Sequence, residues 1–214
     1  MSLSNLSIFG IAGIICYILL AVVALWGAFC VVLVWRRIAQ KRFRSETQQN
    51  QFLEELESRL VRGDFDSAMH MCDGDERAMS QLAQLALANR KMGFAKVQQL
   101  LLDRFQRDVL ADLEYRLAWV NTVIKSAPML GLFGTVVGMI GAFATLATAE
   151  TVEATALAGD INTALYTTAI GLAIAIPLVL CTASIHVRMR KMEDLVAAGL
   201  SRFLEVLRAA MERA

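Results

Sequence analysis

Residues 126–149 read SAPMLGLFGTVVGMIGAFATLATA, and residues 161–185 read INTALYTTAIGLAIAIPLVLCTASI. Neither run contains Asp, Glu, Lys, Arg or His. Each exceeds the roughly 20 residues that a helix needs to cross a hydrocarbon core of about 30 Å. Residues 1–35 form a third uncharged run. A chain of 214 residues has too little mass to bury three such helices on every side. The expected fold is therefore an all-α membrane protein with three transmembrane helices and long helical extensions into a cytoplasmic bundle.

Flanking charge gives the expected orientation. Arg36, Arg37, Lys41, Arg42 and Arg44 follow the first run, and His186, Arg188, Arg190 and Lys191 follow the third. Glu150, Glu153 and Asp160 lie between the second and third. By the positive-inside rule the N-terminus faces out and the C-terminus faces in. The expected segments are a membrane helix over 1–35, a cytoplasmic helical domain over 36–120 and a second membrane helix over 121–149. A short periplasmic loop over 150–160, a third membrane helix over 161–186 and a cytoplasmic amphipathic helix over 187–214 complete the chain. In the last of these, Met192, Leu195, Val196, Gly199, Phe203, Val206, Leu207 and Ala210 line one face. That face is expected to pack on the cytoplasmic bundle, with a position flat on the membrane as the alternative. From Phe94 to Pro128 neither Pro nor Gly interrupts the chain, so the second membrane helix is expected to continue a long cytoplasmic one.

Several function classes are disfavoured. The formal net charge of +1 gives no basis for nucleic-acid binding. Cys16, Cys30, Cys72 and Cys181 form no CxxC pair, so neither a zinc site nor a disulfide framework is indicated. No nucleophile–base pair, metal cluster or phosphate loop stands out, and an enzyme is not expected.

The membrane runs differ in character. The first is bulky, with Tyr17, Trp26, Phe29 and Trp35 among Ile, Leu and Val. In the second, Gly131, Thr135, Gly138, Ala142 and Thr145 recur at helical steps. In the third, Ala164, Thr168, Gly171, Ala175 and Thr182 do the same, with Thr163 and Thr167 beside them. Small residues permit close helix packing, as in Gly134-x-x-x-Gly138, and threonine can bond its own backbone. Hydroxyl stripes can also line a polar path. Both readings stay open at this level. Proton relays require an ionisable group at depth, and threonine does not titrate near neutrality. A titrating carboxylate would have to come from another polypeptide.

The stretch Ala127-Pro128-Met129-Leu130-Gly131-Leu132-Phe133-Gly134-Thr135-Val136-Val137-Gly138-Met139-Ile140-Gly141-Ala142-Phe143 resembles the second-helix signature of the ExbB/TolQ/MotA proton-channel family. Residues Ala164 to Pro177 resemble its third-helix signature. The resemblance is strong over about 120–190, and the three-helix topology is similar to that of ExbB and TolQ. It implies a pentamer around a pore that holds an ExbD- or TolR-like dimer with a membrane-embedded aspartate. It also implies work delivered through a TonB- or TolA-like protein from a bacterial inner membrane, with H⁺ as coupling ion and no cofactor. The family's pore threonines map onto Thr135 and Thr168, with Thr167, Thr145 and Thr163 as further pathway positions. Gly131, Gly134, Gly138, Gly141 and Gly171 would serve packing, and Pro128 and Pro177 would shape the helices. Many members have a glutamate five residues before the third-helix threonine. Here that position is Thr163, so a mechanism needing a carboxylate there does not transfer. A Na⁺-driven homologue and a structural membrane scaffold are the alternatives.

Overall fold

The computed structural model describes residues 3–43, 45–147 and 154–213. Those residues are almost entirely helical. In chain order the helices are α1 (Leu3–Lys41), α2 (Glu46–Val61), α3 (Phe65–Cys72), α4 (Ala78–Ala88), α5 (Phe94–Arg104), α6 (Ala111–Leu146) and α7 (Ala154–Arg213). Three helical stretches, Ile11–Lys41, Phe94–Leu146 and Leu157–Glu212, are long and apolar enough to cross a membrane. The chain divides into two compact units. One comprises Met1–Val32 with Leu117–Ala183, and the other Leu33–Arg116 with Ser184–Ala214.

The first unit has its bulk on the outside. Ile14, Ile18, Leu25 and Phe29 of α1, Leu132, Phe133 and Phe143 of α6, and Leu165, Ile176 and Leu180 of α7 are all exposed. The buried positions are mostly small: Cys16 and Cys30, Ala127 and Ala142, Ala164 and Ala175. In water this arrangement would forfeit the hydrophobic effect, whereas in lipid it costs nothing and leaves the close contacts to small side chains. Gly27 of α1 marks where all three helices meet. A methyl group there would lie 2.7 Å from Val123 of α6 and 2.9 Å from Leu178 of α7.

The second unit is built the ordinary way round. Leu53, Leu56 and Leu60 of α2, Met79 and Leu87 of α4, and Met192, Phe203 and Leu207 of α7 are fully enclosed. Most of the apolar face expected on residues 187–214 is buried here. Gln49 of α2, itself buried, donates its amide to the Leu195 carbonyl across the space left by Gly199. Arg202 pairs with Glu57 at 2.6 Å beside it. The helix ends follow their sequence signals. Ser45 accepts from the Gln48 amide and caps α2, and Asp64 accepts from the Ser67 amide and caps α3. The Ser67 hydroxyl, with the Ser67 amide, holds the Asp64 carboxyl below its ordinary range. Gly63 and Gly74 take the left-handed backbone (φ 75° and 74°) just after α2 and α3.

Two details depart from the expected pattern. Residues Phe105–Leu110, between α5 and α6, form a π turn. Val97, Leu101, Phe105, Val109 and Leu113 are all buried and four residues apart. In a straight α-helix each step of four overshoots a full turn by roughly 40°. The wider π turn absorbs that drift and keeps the row on one side. The second departure is the segment 150–160, expected as a loop. Residues 150–153 lie outside the described residues, and α7 already begins at Ala154. Ala154, Ala156, Leu157 and Ala158 are strong helix formers with no proline to stop them.

Burial raises the Cys72 thiol to about 11 from its ordinary 9.0, with a smaller opposing contribution from Ser80. At pH 8 its thiolate fraction is then roughly a hundredfold below that of an unperturbed thiol. Alkylation of the folded protein by iodoacetamide, followed by peptide mass spectrometry, is expected to leave Cys72 unmodified until denaturant is added. Rapid labelling in the native state would contradict the packing described.

Candidate functional site: a threonine cluster between two membrane helices

Helices α6 and α7 approach each other at glycines. A methyl group on Gly171 would lie 2.6 Å from the Ala127 carbonyl oxygen, and one on Gly131 would lie 2.7 Å from that of Thr167. A methyl on Gly134 would meet the Thr167 hydroxyl at 2.7 Å, and one on Gly138 would meet the Ala164 side chain at 2.7 Å. No other side chain permits this backbone separation. Gly141 contributes its carbonyl, which accepts from Thr145 at 3.0 Å. Pro128 and Pro177 both lie inside continuous helices.

The close approach brings three hydroxyls together. Thr167 is buried, and its Oγ1 lies 2.7 Å from the Ala164 carbonyl and 2.9 Å from that of Gly131 on the neighbouring helix. Thr135 Oγ1 lies 3.0 Å from the Ala164 carbonyl, 3.2 Å from that of Gly131 and 3.4 Å from Thr167 Oγ1. It also makes a short hydroxyl–hydroxyl contact with Thr168. Thr135 and Thr168 are both half-buried, so the pair sits at the edge of the packed seam rather than within it.

Three hydroxyls carry three protons. Thr167 donates to one of the two carbonyls. If Thr135 donates to the other, Thr168 donates to Thr135 and keeps its lone pairs open to an outside donor. If Thr135 instead donates to Thr168, the Thr168 proton is free for an outside acceptor. The pair can therefore meet either a carboxylate or a carboxylic acid by rotating two hydroxyls, with no heavy atom displaced.

The remaining sequence-derived positions separate from this cluster. Thr163 is exposed, its hydroxyl donates to the Gly159 carbonyl, and its own carbonyl accepts from Tyr17 of α1 at 3.1 Å. Thr145 donates back to Gly141 on its own helix. The buried stripe of α7 runs through Ala164, Thr167, Gly171, Ala175, Leu178 and Thr182. Thr167, not Thr168, is thus the packed member of the adjacent pair. Between 126 and 147 on α6, and between 161 and 183 on α7, the chain has no Asp, Glu, Lys, Arg or His.

These features define a helical membrane protein with a hydroxyl cluster between two tightly packed membrane-capable helices and no fixed charge at that depth. Residues 73–198, more than half of the chain and including the whole cluster, match the family described as the MotA/TolQ/ExbB proton channel family, and the chain belongs to that family. Two relatives are both described as Tol-Pal system protein TolQ. That of Haemophilus influenzae is 35% identical over 98 residues, which cover 46% of this chain and 43% of the relative. That of Pseudomonas aeruginosa is 44% identical over 68 residues, covering 32% of this chain and 29% of the relative. The similarity thus spans less than half the length of either relative.

Gly171→Ala is expected to push the two backbones apart and cost about 1–3 kcal/mol. Gly159→Ala, with nothing within 4 Å of the new methyl, is expected to be neutral or stabilising by up to about 1 kcal/mol from helix propensity. Thermal unfolding of the two variants in the same detergent checks the difference; equal midpoints would refute the close crossing.

Proposed function

We propose that the chain is the wall-forming subunit of a proton-driven motor of a bacterial inner membrane, with its N-terminus outside and its C-terminus in the cytoplasm. Membership of the proton-channel family supports the class. The observation that carries the mechanism is the Thr135–Thr168 hydroxyl pair at the edge of the α6–α7 seam, in a stretch without Asp, Glu, Lys, Arg or His to relay a proton. The titrating group is a membrane-embedded aspartate on an ExbD- or TolR-like partner. When that aspartate is ionised, Thr168 donates to it. When it is protonated, the pair reverses and Thr168 accepts. The wall matches both states, so the passing acid meets no deep trap, and the proton gradient biases the direction of movement.

In this reading the chain assembles as a homo-oligomer, by family resemblance a pentamer, and passes work to a TonB- or TolA-like transducer. The coupling ion is H⁺, because the cluster offers no carboxylate ligands for sodium. Burial of Thr167 favours a packing role for that residue, so scaffold and path are divided between neighbouring threonines. Neither catalysis nor a bound cofactor is part of the proposal.

The test is proton flux in liposomes containing the chain and its partner, followed with a pH-sensitive dye. Thr135→Val with Thr168→Val is expected to leave co-purification with the partner intact and reduce flux roughly tenfold or more, the scale of a lost hydrogen bond to a charged group. Thr135→Ser with Thr168→Ser should retain most of the flux. Undiminished flux in the valine double variant would reject the assignment.

A further inference from the structure

Within the second unit, the end of α1 and the middle of α7 enclose a cavity of about 280 Å³. Ile38, Phe43 and Ile185 wall it with buried apolar surface. Phe43 is held by Phe52, 5.5 Å away between ring centroids, and by the Arg77 guanidinium stacked 4.4 Å from its ring centre. Two arginines, Arg42 and Arg188, also line the cavity. Six arginines of this unit have a carboxylate partner: Arg37 and Arg116 with Asp112, Arg77 with Asp75, Arg104 with Asp108, Arg202 with Glu57 and Arg208 with Glu212. Arg42 and Arg188 have none among the described residues. Arg42 donates only to the Phe43 carbonyl, and Arg188 lies over the Trp35 ring at 4.1 Å.

Two unneutralised guanidiniums lining one cavity with apolar walls call for an anion that also carries hydrocarbon. The position in the chain says which. Trp35 ends the uncharged run of α1, Arg36 begins the basic one, and Arg188 follows directly on the uncharged run of α7. Both helices reach the lipid–water boundary at this level if the membrane reading holds. We propose that this cavity binds the phosphate-bearing headgroup of an acidic phospholipid of the cytoplasmic leaflet. Arg42 and Arg188 contact the phosphodiester oxygens, and the glycerol and upper acyl carbons lie against the exposed lining residues Trp35 and Ala39. The guanidinium fork suits phosphate geometry, and basic pockets at the cytoplasmic ends of membrane helices are suited to anionic headgroups. The proposal rests on membrane insertion and is independent of proton conduction.

The full chain, in neutral detergent micelles, is titrated with dioleoyl phosphatidylglycerol, with dioleoyl phosphatidylcholine and, separately, with inorganic phosphate. Binding is followed by tryptophan fluorescence, with Trp35→Phe used to assign the signal. Phosphatidylglycerol is expected to bind about tenfold or more tighter than phosphatidylcholine. Arg42→Gln with Arg188→Gln should remove that preference, while Arg36→Gln with Arg190→Gln, which removes equal charge outside the cavity, should keep it. Equal losses in the two pairs would overturn the site. Phosphate binding as tightly as phosphatidylglycerol would overturn the lipid assignment in favour of a soluble anion. Should the cavity pair fail to fold, Ala39→Trp fills the space with both arginines retained; an unchanged lipid preference in that variant would also overturn the site. Resistance of the chain to extraction by alkaline carbonate tests insertion separately.

Discussion

Everything at the threonine cluster depends on how closely two helix backbones can approach in a solvent that gives apolar side chains no reason to associate. Lipid tails are as apolar as leucine, so burying leucine between membrane helices gains little. What remains is dispersion between closely packed atoms and hydrogen bonds to groups that hydrocarbon cannot satisfy. Gly131, Gly134, Gly138 and Gly171 supply the first by leaving out a Cβ at four positions of the crossing. Thr167 supplies the second by placing a hydroxyl within reach of carbonyls on both helices. Only because the crossing is this tight can Thr135 reach the Ala164 carbonyl of the opposite helix and Thr168 beside it. The packing glycines and the functional hydroxyls are therefore one construction.

The second unit obeys the opposite rule. Its enclosed residues are mostly large, and one of its buried polar groups, Gln49, donates to a carbonyl of α7. Water outside makes apolar burial favourable there at roughly 25 cal/mol per Å², so large side chains go inward. The contrast between small-inside and large-inside within one chain reports two solvents. It also accounts for the length of α7. Its 60 residues far exceed what a bilayer core of about 20 helical residues can cover, and the surplus is the amphipathic segment that completes the second unit.

Much of this was legible in the sequence because both solvents leave a residue-level record. Uncharged runs mark spans, glycine and threonine at helical steps mark a crossing, and the apolar side of 187–214 marks a face that packs. Other features were not legible. Adjacent Thr167 and Thr168 differ by about 100° around the helix, and a stripe that accepts either cannot say which one packs. The structure places Thr167 in the seam, buried with its hydroxyl within reach of the Gly131 carbonyl of α6, and leaves Thr168 half-buried at the edge. The π turn was recorded in the unbroken spacing of four from Val97 to Leu113, a signal that needs the drift of the helix to be counted. The pairing of Arg42 with Arg188 had no local signal at all: the two are far apart in sequence, and each reads alone as one more flanking charge.

On the proposed function, the use of hydroxyls rather than carboxylates in the seam follows from what a passing proton carrier requires. A carboxylate fixed in the seam would bind a proton itself when desolvated, because burial disfavours its charged form. It would also favour one protonation state of any acid beside it by pair interactions of several kcal/mol. A hydroxyl pair has no such bias. It gives or takes one hydrogen bond by rotation about Cβ–Oγ, and the two orders of the Thr135–Thr168 pair exchange without moving the backbone. Thr167 keeps that freedom from dissolving the structure, since it donates to one of the carbonyls of Gly131 and Ala164 in either order. At Thr163, further along α7 toward its start, the chain carries another hydroxyl, bonded back to Gly159. The two uncharged runs of α6 and α7 carry no fixed charge, and on the proposed reading the group that changes its charge belongs to a partner.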